Sequence, residues 1–378
     1  MRRRIVVAIL AIAVTAPIGK IRGQESESTV SAADGVKLRF EVLAQPQASS
    51  TSVDSVVESD VELRRARLTA EGQVGERWSG RIQMDFETER ARFRDAYLEG
   101  RVSDGLSLRA GQFKVPFNGI ELESAKRLLA IERGARVRGT PIASTSTSGM
   151  LAATAMDARN RGIMALLRWA DGRARVQAGG WVGAGERGEN NDGKQLAARL
   201  EFEPWAGSES RAPLVLALAV VSNGYFGSPR DTLIVAQGDT TVTEDASYAT
   251  AFEAWVEFGR YAAPGLHVAG NMIAGDNPLA PRIGNGDVEF AGFLGMQVWG
   301  EYVLRGTGPL TGIGIGGRVD HFDPDTDVEE NAYVLWTPLV NLYFGNVFKL
   351  QANLDVLSPE SDEREQESAL RVQAQLVL

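Results

Sequence analysis

Apolar and polar side chains alternate along most of this chain with a period of two residues. In the clearest run, 78–88, Ile82 and Phe86 belong to an apolar series that alternates with charged or polar side chains. The pattern returns at 252–258 and at 348–356. Because successive side chains of a β-strand point to opposite faces of a sheet, this period predicts strands with one apolar and one polar face.

Sixteen such runs are predicted as strands, each bounded where the alternation stops. They are 36–44, 61–71, 77–88, 93–102, 105–114, 163–170, 174–184, 195–204, 213–222, 246–258, 266–274, 289–305, 311–321, 330–340, 346–357 and 368–378.

Short and long connections tend to alternate between these runs. The short ones include 103–105, 171–173 and 345–346, and the long polar ones include 45–60, 185–194, 223–245, 275–288, 322–330 and 358–367. Short turns at one end and long loops at the other are typical of a bacterial outer-membrane barrel. A soluble β-sandwich has no reason to keep this rhythm.

One connection, 115–161, is far longer than the others and has a partly helical pattern between Glu121 and Arg133. Long connections in compact domains are usually functional. We expect this one to fold into the barrel as a constriction loop. The alternative is a large surface loop that packs on the barrel rim.

The first residues have the pattern of an export signal. Arg2, Arg3 and Arg4 precede an apolar run, 5–16, that is too short to span a bilayer. This predicts a secretory signal peptide at 1–23, with the mature chain beginning between 17 and 24. The alternative is a membrane anchor.

The remaining chain, 24–378, has no other apolar stretch near the ~20 residues of a transmembrane helix. A chain that enters a membrane without such helices must close into a β-barrel, because every backbone polar group needs a partner in lipid. We therefore predict an all-β fold, a single transmembrane antiparallel β-barrel of about 16 strands with a long, partly helical inward loop.

Composition argues against several other classes of protein. The formal net charge is −9 and the chain has no cysteine, which disfavours nucleic-acid binding and excludes disulfides and cysteine-ligated metals. Neither histidine, His267 or His321, has the nearby serine that a barrel hydrolase would use. The acidic run 320–330 lacks the glycine and the spacing of a calcium loop. We expect no enzyme activity, no metal and no cofactor.

Three segments carry a family resemblance. They are VELRRARL at 61–68, RDAYLE at 94–99 and LRAGQFKVPF at 108–117, followed by Glu132 and Arg133. In this order they resemble the phosphate-selective porin O and P family. The resemblance implies a sixteen-stranded homotrimer in the Gram-negative outer membrane, with arginines on the inner wall and a constriction formed by an inward loop.

The resemblance also implies roles for particular residues. Lys126 falls where phosphate-selective members carry a loop lysine, and Arg64 and Arg65 resemble a double arginine that opens the second strand. With the apolar face of each strand turned outward, the predicted pore-lining cations are Arg64, Arg65, Arg67, Arg81, Arg101, Arg109 and Lys126. The predicted opposing acids are Asp85, Glu87, Asp95 and Glu99.

Two interpretations of these arginines remain open. In the first, Arg64, Arg65, Arg67 and Arg109 form a basic track to Lys126, with Arg64 as its weakest member because neighbours on a strand face opposite ways. In the second, the arginines pair with the acids and make the wall rigid. A wall lined by both signs of charge selects only modestly.

These expectations define a porin for passive diffusion of small hydrophilic solutes or ions, including anions such as phosphate. Its partners would be outer-membrane lipid, these solutes and two further copies of itself. The main alternative is a non-conducting barrel with a structural or adhesive role. A barrel hydrolase is a second alternative.

Overall fold

The computed structural model describes residues 29–32, 35–53, 56–86, 91–134, 145–183, 185, 193–205, 207, 212–227, 234–236, 239–241, 247–284, 287–361 and 366–378. The predicted signal peptide, 1–23, and the predicted wall acid Glu87 lie outside the described residues.

Sixteen long strands of the described chain form one sheet. They are β1 (Val36–Val53), β2 (Val56–Val74), β3 (Trp78–Asp85), β4 (Arg92–Arg101), β5 (Leu106–Lys114), β6 (Arg159–Trp169), β7 (Ala174–Trp181), β8 (Gln195–Trp205), β9 (Leu214–Gly227), β10 (Ser247–Phe258), β11 (Gly265–Gly284), β12 (Asp287–Arg305), β13 (Gly312–Asp323), β14 (Tyr333–Phe344), β15 (Phe348–Pro359) and β16 (Glu367–Val377).

Each strand pairs antiparallel with the next, and β16 pairs antiparallel with β1, so the sheet closes into a barrel. The predicted antiparallel barrel of sixteen strands is confirmed. A short strand, Thr29–Ala32, also pairs with the start of β1, and a separate small hairpin joins Ile234–Ala236 to Asp239–Thr241.

The two faces of the barrel wall reverse the arrangement of a soluble protein. Outward side chains are large and apolar, and Leu98 and Ile163 are 67% and 64% exposed. Inward side chains are polar and buried, as Gln297 and Asn341 are. An apolar belt of this extent is stable against lipid tails and would be costly in water. The alternation in the sequence therefore corresponds to a barrel with an apolar outer face and a polar inner face.

The prediction of long loops at 45–60 and 275–288 is wrong, because most of these residues lie in strands. Pairing between β1 and β2 continues to Val53 and Val56, and β11 and β12 remain paired up to their facing ends. Beyond the lipid belt both faces of a strand meet water. The backbone ladder can then continue without apolar alternation, which removes the signal.

The described residues of the long connection between β5 and β6, 115–134 and 145–158, lie inside the barrel. They contain a short helix α1 (Gly119–Leu122), a 3₁₀ turn (Ala125–Arg127) and a second helix α2 (Thr147–Ala153). The helical pattern predicted up to Arg133 stops at Arg127. No helix of the described residues is long and apolar enough to cross a membrane. We call residues 115–134 and 145–158 the inward loop.

An apolar core within the barrel holds the inward loop against one side of the wall. Phe117, Met150 and Met156 are fully buried in the same cluster as Ile273 of β11 and Phe293 of β12. Burial of each such side chain contributes about 1.5–3 kcal/mol. Since several contribute together, the loop is a packed part of the fold.

Candidate pore constriction

The stretch 125–129 of the inward loop lies against the inner wall, and barrel-wall side chains of four neighbouring strands donate hydrogen bonds to its carbonyl oxygens. The donors are Gln45 of β1, Asn341 of β14, Lys349 and Gln351 of β15, and Gln375 of β16, at 2.9–3.3 Å. A buried polar group without a partner costs about 1–3 kcal/mol. The wall therefore fixes this stretch in one position.

The start of α1 is held by a second network. The side-chain amide of Asn118, at φ +61°, donates to Asp157 at 2.7 Å, and its oxygen accepts from the N–H of Ile120. The N–H of Gly119 donates to the carboxylate of Glu253 on β10 at 2.6 Å. A buried carboxylate is favourable here because the first N–H groups of a helix lack backbone partners. These contacts orient α1 and the charged residues that follow it.

A bulge in β2 turns both Arg64 and Arg65 toward the lumen. The register shifts between Gln45 and the following residue, which leaves Arg64 as the extra residue of β2. Arg64 then donates to both oxygens of Glu132 at 2.6 and 3.0 Å, and Arg65 lies 3.6 Å from the same carboxylate. The expectation that Arg64 is the weakest inward candidate is wrong, because a bulge suspends the alternation of faces.

The other predicted cations are paired with carboxylates or exposed. Arg67 donates to Asp85 at 2.9 Å, and Arg109 donates to Glu99 at 2.7 Å. The guanidinium of Arg109 also lies 4.2 Å from the centre of the Tyr97 ring.

Two further candidates lie apart from these pairs, and Arg81 belongs to the cluster described below. Lys126 of the inward loop pairs with Glu41 of β1 at 2.5 Å. Arg101 is exposed at the turn end of β4. The structure thus places the predicted cations on several parts of the wall, and a basic track to Lys126 remains a prediction.

The densest set of inward charges lies where the inward loop meets β2 to β6. We call it the constriction cluster. Its cations are Arg67, Arg81, Arg94, Lys114, Arg133 and Arg159, and its carboxylates are Glu71, Asp85, Asp95 and Glu121.

Three carboxylates of the cluster are each shared by two or more cations. Asp85 lies 2.9 Å from Arg67 and 3.7 Å from Arg94. Asp95 is shared in the same way at 2.6 and 3.1 Å, and Glu121 has three cations at 3.1–3.7 Å. Among the described residues, the cluster therefore has six cations and four carboxylates.

Sequence analysis missed four cations of this cluster: Arg94, Lys114, Arg133 and Arg159. Arg94 is the extra residue of a second bulge, because Gln83 pairs with Asp95 and the next residue of β3 pairs with Phe93. Lys114 and Arg159 stand at the points where the chain enters and leaves the inward loop. The helical pattern around Arg133 does not indicate which way the Arg133 side chain points.

Two acids of the inward loop have pKa values shifted in opposite directions. Burial alone would raise the pKa of Glu121, but the charges of Arg133, Lys114 and Arg159 outweigh it and lower this pKa to about 2. Burial and then the charge of Glu121 raise the pKa of Asp157. Glu121 therefore stays ionised beside the cations, whereas Asp157 favours its neutral form.

Neither histidine forms a recognisable catalytic pair with a nucleophile in the described chain. The Nε2 atom of His267 lies 3.1 Å from the carboxylate of Glu257 on the inner wall. No group of three or more His, Asp or Glu side chains in the described residues is arranged to hold a metal ion.

Comparison with known proteins gives a family and a fold. The model of the family described as phosphate-selective porin O and P matches residues 36–256. None of the curated proteins matches the sequence.

Several solved structures share the fold. The outer-membrane channel DcaP of Acinetobacter baumannii is 11% identical, with a TM-score of 0.59, covering 92% of this chain and 99% of its own. An anion-selective porin from Comamonas acidovorans is 9% identical, with a TM-score of 0.59 and coverages of 91% and 100%. The trimer form of OmpT from Vibrio cholerae is 13% identical, with a TM-score of 0.55 and coverages of 91% and 100%.

Proposed function

The chain belongs to the phosphate-selective porin O and P family, and on this premise we propose that it is a passive porin with a weak preference for small anions. Family membership and the closed barrel already make it a channel for small solutes in the Gram-negative outer membrane. What we propose is which ions the channel prefers and how many copies of the chain assemble.

The cation excess of the constriction cluster is the observation that carries the anion preference. Its described residues have two more positive than negative charges where the inward loop meets β2 to β6. A fixed charge about 8 Å from an ion in water contributes about 0.5 kcal/mol, which is roughly a twofold change in occupancy. Such a field favours anions without excluding cations.

Pairing within the cluster argues against strict phosphate specificity. Every cation of the cluster has a carboxylate within 4 Å, so a bound phosphate would compete with groups already in place. Lys126, the predicted phosphate lysine, is likewise paired with Glu41. We therefore propose a general porin through which phosphate passes as one anion among several.

Assembly as a homotrimer, contact with outer-membrane lipid and absence of enzyme activity complete the proposal. The trimer is supported by the similar OmpT barrel, which has been solved in a trimer form. The apolar outer face supports the contact with lipid. The signal peptide at 1–23 remains a prediction.

The test is the reversal potential of single channels under a KCl gradient in planar bilayers. We expect discrete conductance with a small anion preference. Arg94→Gln should reduce the anion-to-cation permeability ratio about fourfold, because the loss of one cluster charge lowers anion occupancy and raises cation occupancy about twofold each. Arg101→Gln is the matched control, since Arg101 lies exposed at the turn end of β4.

Cation preference in the unmodified channel would contradict the proposal. Block by low concentrations of phosphate would indicate a phosphate-specific channel instead of a general porin. A folded barrel without conductance would favour the structural or adhesive alternative.

A further inference from the structure

Glu71 on β2 is the most exposed carboxylate among the described members of the constriction cluster. Its side chain is 39% exposed, against 1% for Asp85, 10% for Asp95 and 18% for Glu121. A single cation of the cluster holds it, whereas each of the other three carboxylates is shared by at least two. Glu71 is therefore the cluster carboxylate that an ion in the lumen reaches first and displaces most easily.

The partner of Glu71 is Arg81 on the neighbouring strand β3. The two residues lie directly opposite each other in the ladder, and Nη1 of Arg81 is 2.5 Å from the carboxylate. Ion pairs that water reaches are weak, because solvent screens the charges and two flexible side chains must be held in one geometry. The carboxylate of Glu71 can therefore leave Arg81 at low cost.

Arg81 keeps its place when Glu71 leaves. Its Nε lies 3.1 Å from Asp95, and Asp95 is itself held by Arg159 at 2.6 Å. A guanidinium group fixed on one side presents its remaining N–H donors in a planar fork that matches the oxygens of a carboxylate or a phosphate. The group that Glu71 leaves behind is thus an ordered anion-binding position.

The residues next to this position also suit an anion. Arg39 of β1 lies opposite Glu71, and Tyr97 of β4 lies opposite Arg81, so the four side chains form one row across the inner wall. Neighbours in such a row have Cβ atoms about 4.5–5.5 Å apart. An anion in the place of the Glu71 carboxylate would have a guanidinium group on either side and a tyrosine hydroxyl as a further donor in the row.

We propose that Glu71 occupies the position that a transported anion takes on Arg81, and that its competition keeps the anion preference of the channel weak. This inference rests on the proposed function and names the residue that limits it. A small anion such as phosphate displaces the carboxylate, pairs with Arg81 and is released when Glu71 returns. Because the competitor is tethered beside the site, it acts at a high effective concentration and no anion is retained for long.

The test compares the block of single-channel KCl current by inorganic phosphate in the unmodified barrel and in Glu71→Gln. The amide keeps the shape of the side chain and removes its charge. We expect the phosphate concentration that halves the current to fall about tenfold, because phosphate then forms a charge-assisted bond to Arg81 without a competitor. The anion-to-cation permeability ratio should rise about fourfold, because one negative charge is lost from the cluster.

Glu99→Gln is the matched control. Glu99 is another carboxylate of the inner wall, and its partner Arg109 stays against the ring of Tyr97 when the carboxylate is removed. This variant should raise the permeability ratio without strengthening the phosphate block. Adding Arg81→Gln to Glu71→Gln should abolish the tenfold gain, because the cation of the site is then lost. If Glu71→Gln does not refold, Glu71→Thr takes its place.

Equal phosphate block in the unmodified and Glu71→Gln channels would overturn the proposal. An equal gain in Glu99→Gln would overturn it as well, because the gain would then reflect net charge alone. Both results are differences between variants. Cation preference in the unmodified channel, by contrast, would contradict the proposed function.

Discussion

The contact between Arg64 and Glu132 joins the β2 bulge to the inward loop, and its removal has a predictable cost. Glu132→Gln keeps the shape of the side chain and removes its charge. Glu132 and Arg65 are nearly buried, and Arg64 is only 16% exposed in its side chain. The substitution therefore leaves two guanidinium groups in the wall without their shared carboxylate.

Loss of one partner from a buried ion pair typically costs about 3–5 kcal/mol. The lower end applies here, because Arg65 keeps a hydrogen bond to Gln45 at 2.9 Å and the new amide still accepts one from Arg64. We expect Glu132→Gln to lower the free energy of unfolding by about 3 kcal/mol. A double-mutant cycle with Arg64→Gln should give a coupling energy of about 2 kcal/mol.

The assay is urea unfolding of the barrel in lipid vesicles, followed by tryptophan fluorescence. Glu123→Gln is the control within the same loop, because Glu123 pairs with Arg127 only at 3.5 Å and should lose less than about 1 kcal/mol. The reasoning about the bulge fails if Glu132→Gln unfolds like the unmodified barrel. It also fails if the effects of Glu132→Gln and Arg64→Gln on the free energy of unfolding are additive.

Three further predictions concern the inward loop. Phe117→Ala removes a fully buried anchor and should cost about 3–5 kcal/mol with an increase in open-channel noise, which urea unfolding and single-channel recording would detect. Asp157→Asn should remove a pH dependence of stability. The raised pKa of Asp157 contributes stability at acid pH, and this contribution is lost as the pH rises from the ordinary pKa of 3.8 toward the raised one. In unfolding experiments, the free energy of unfolding of the variant should therefore rise relative to that of the unmodified barrel at pH 8 and not at pH 3. Lys126→Gln should change the reversal potential less than Arg94→Gln does, because Lys126 pairs with Glu41 outside the constriction cluster. A larger change would make Lys126 the residue that sets the selectivity.

The order and number of the strands could be predicted because lipid and lumen impose opposite demands on alternate residues. Leu98 and Glu99 on β4 show this contrast directly, one facing outward and the other paired with Arg109. Where the strands extend past the lipid, as β1 does toward Val53, that demand ends and the prediction failed.

The constriction was harder to predict because it depends on departures from regular structure. A bulge is one extra residue in a strand and leaves no clear mark in the alternation. Arg64 and Arg94 face the lumen only for this reason. The path of the inward loop depends on polar side chains from distant strands, such as Lys349, which a single sequence does not pair with it.

The hydrogen bonds of the inward loop also bear on how the barrel is assembled. Gln45 of the first strand and Gln375 of the last contact each other at 2.7 Å, and each also donates to a carbonyl of the loop. The seam that closes the barrel and the loop that narrows it therefore satisfy one another's buried polar groups. Without the loop, water in the lumen would have to satisfy these groups. The loop and the junction of the first and last strands therefore form one continuous polar network.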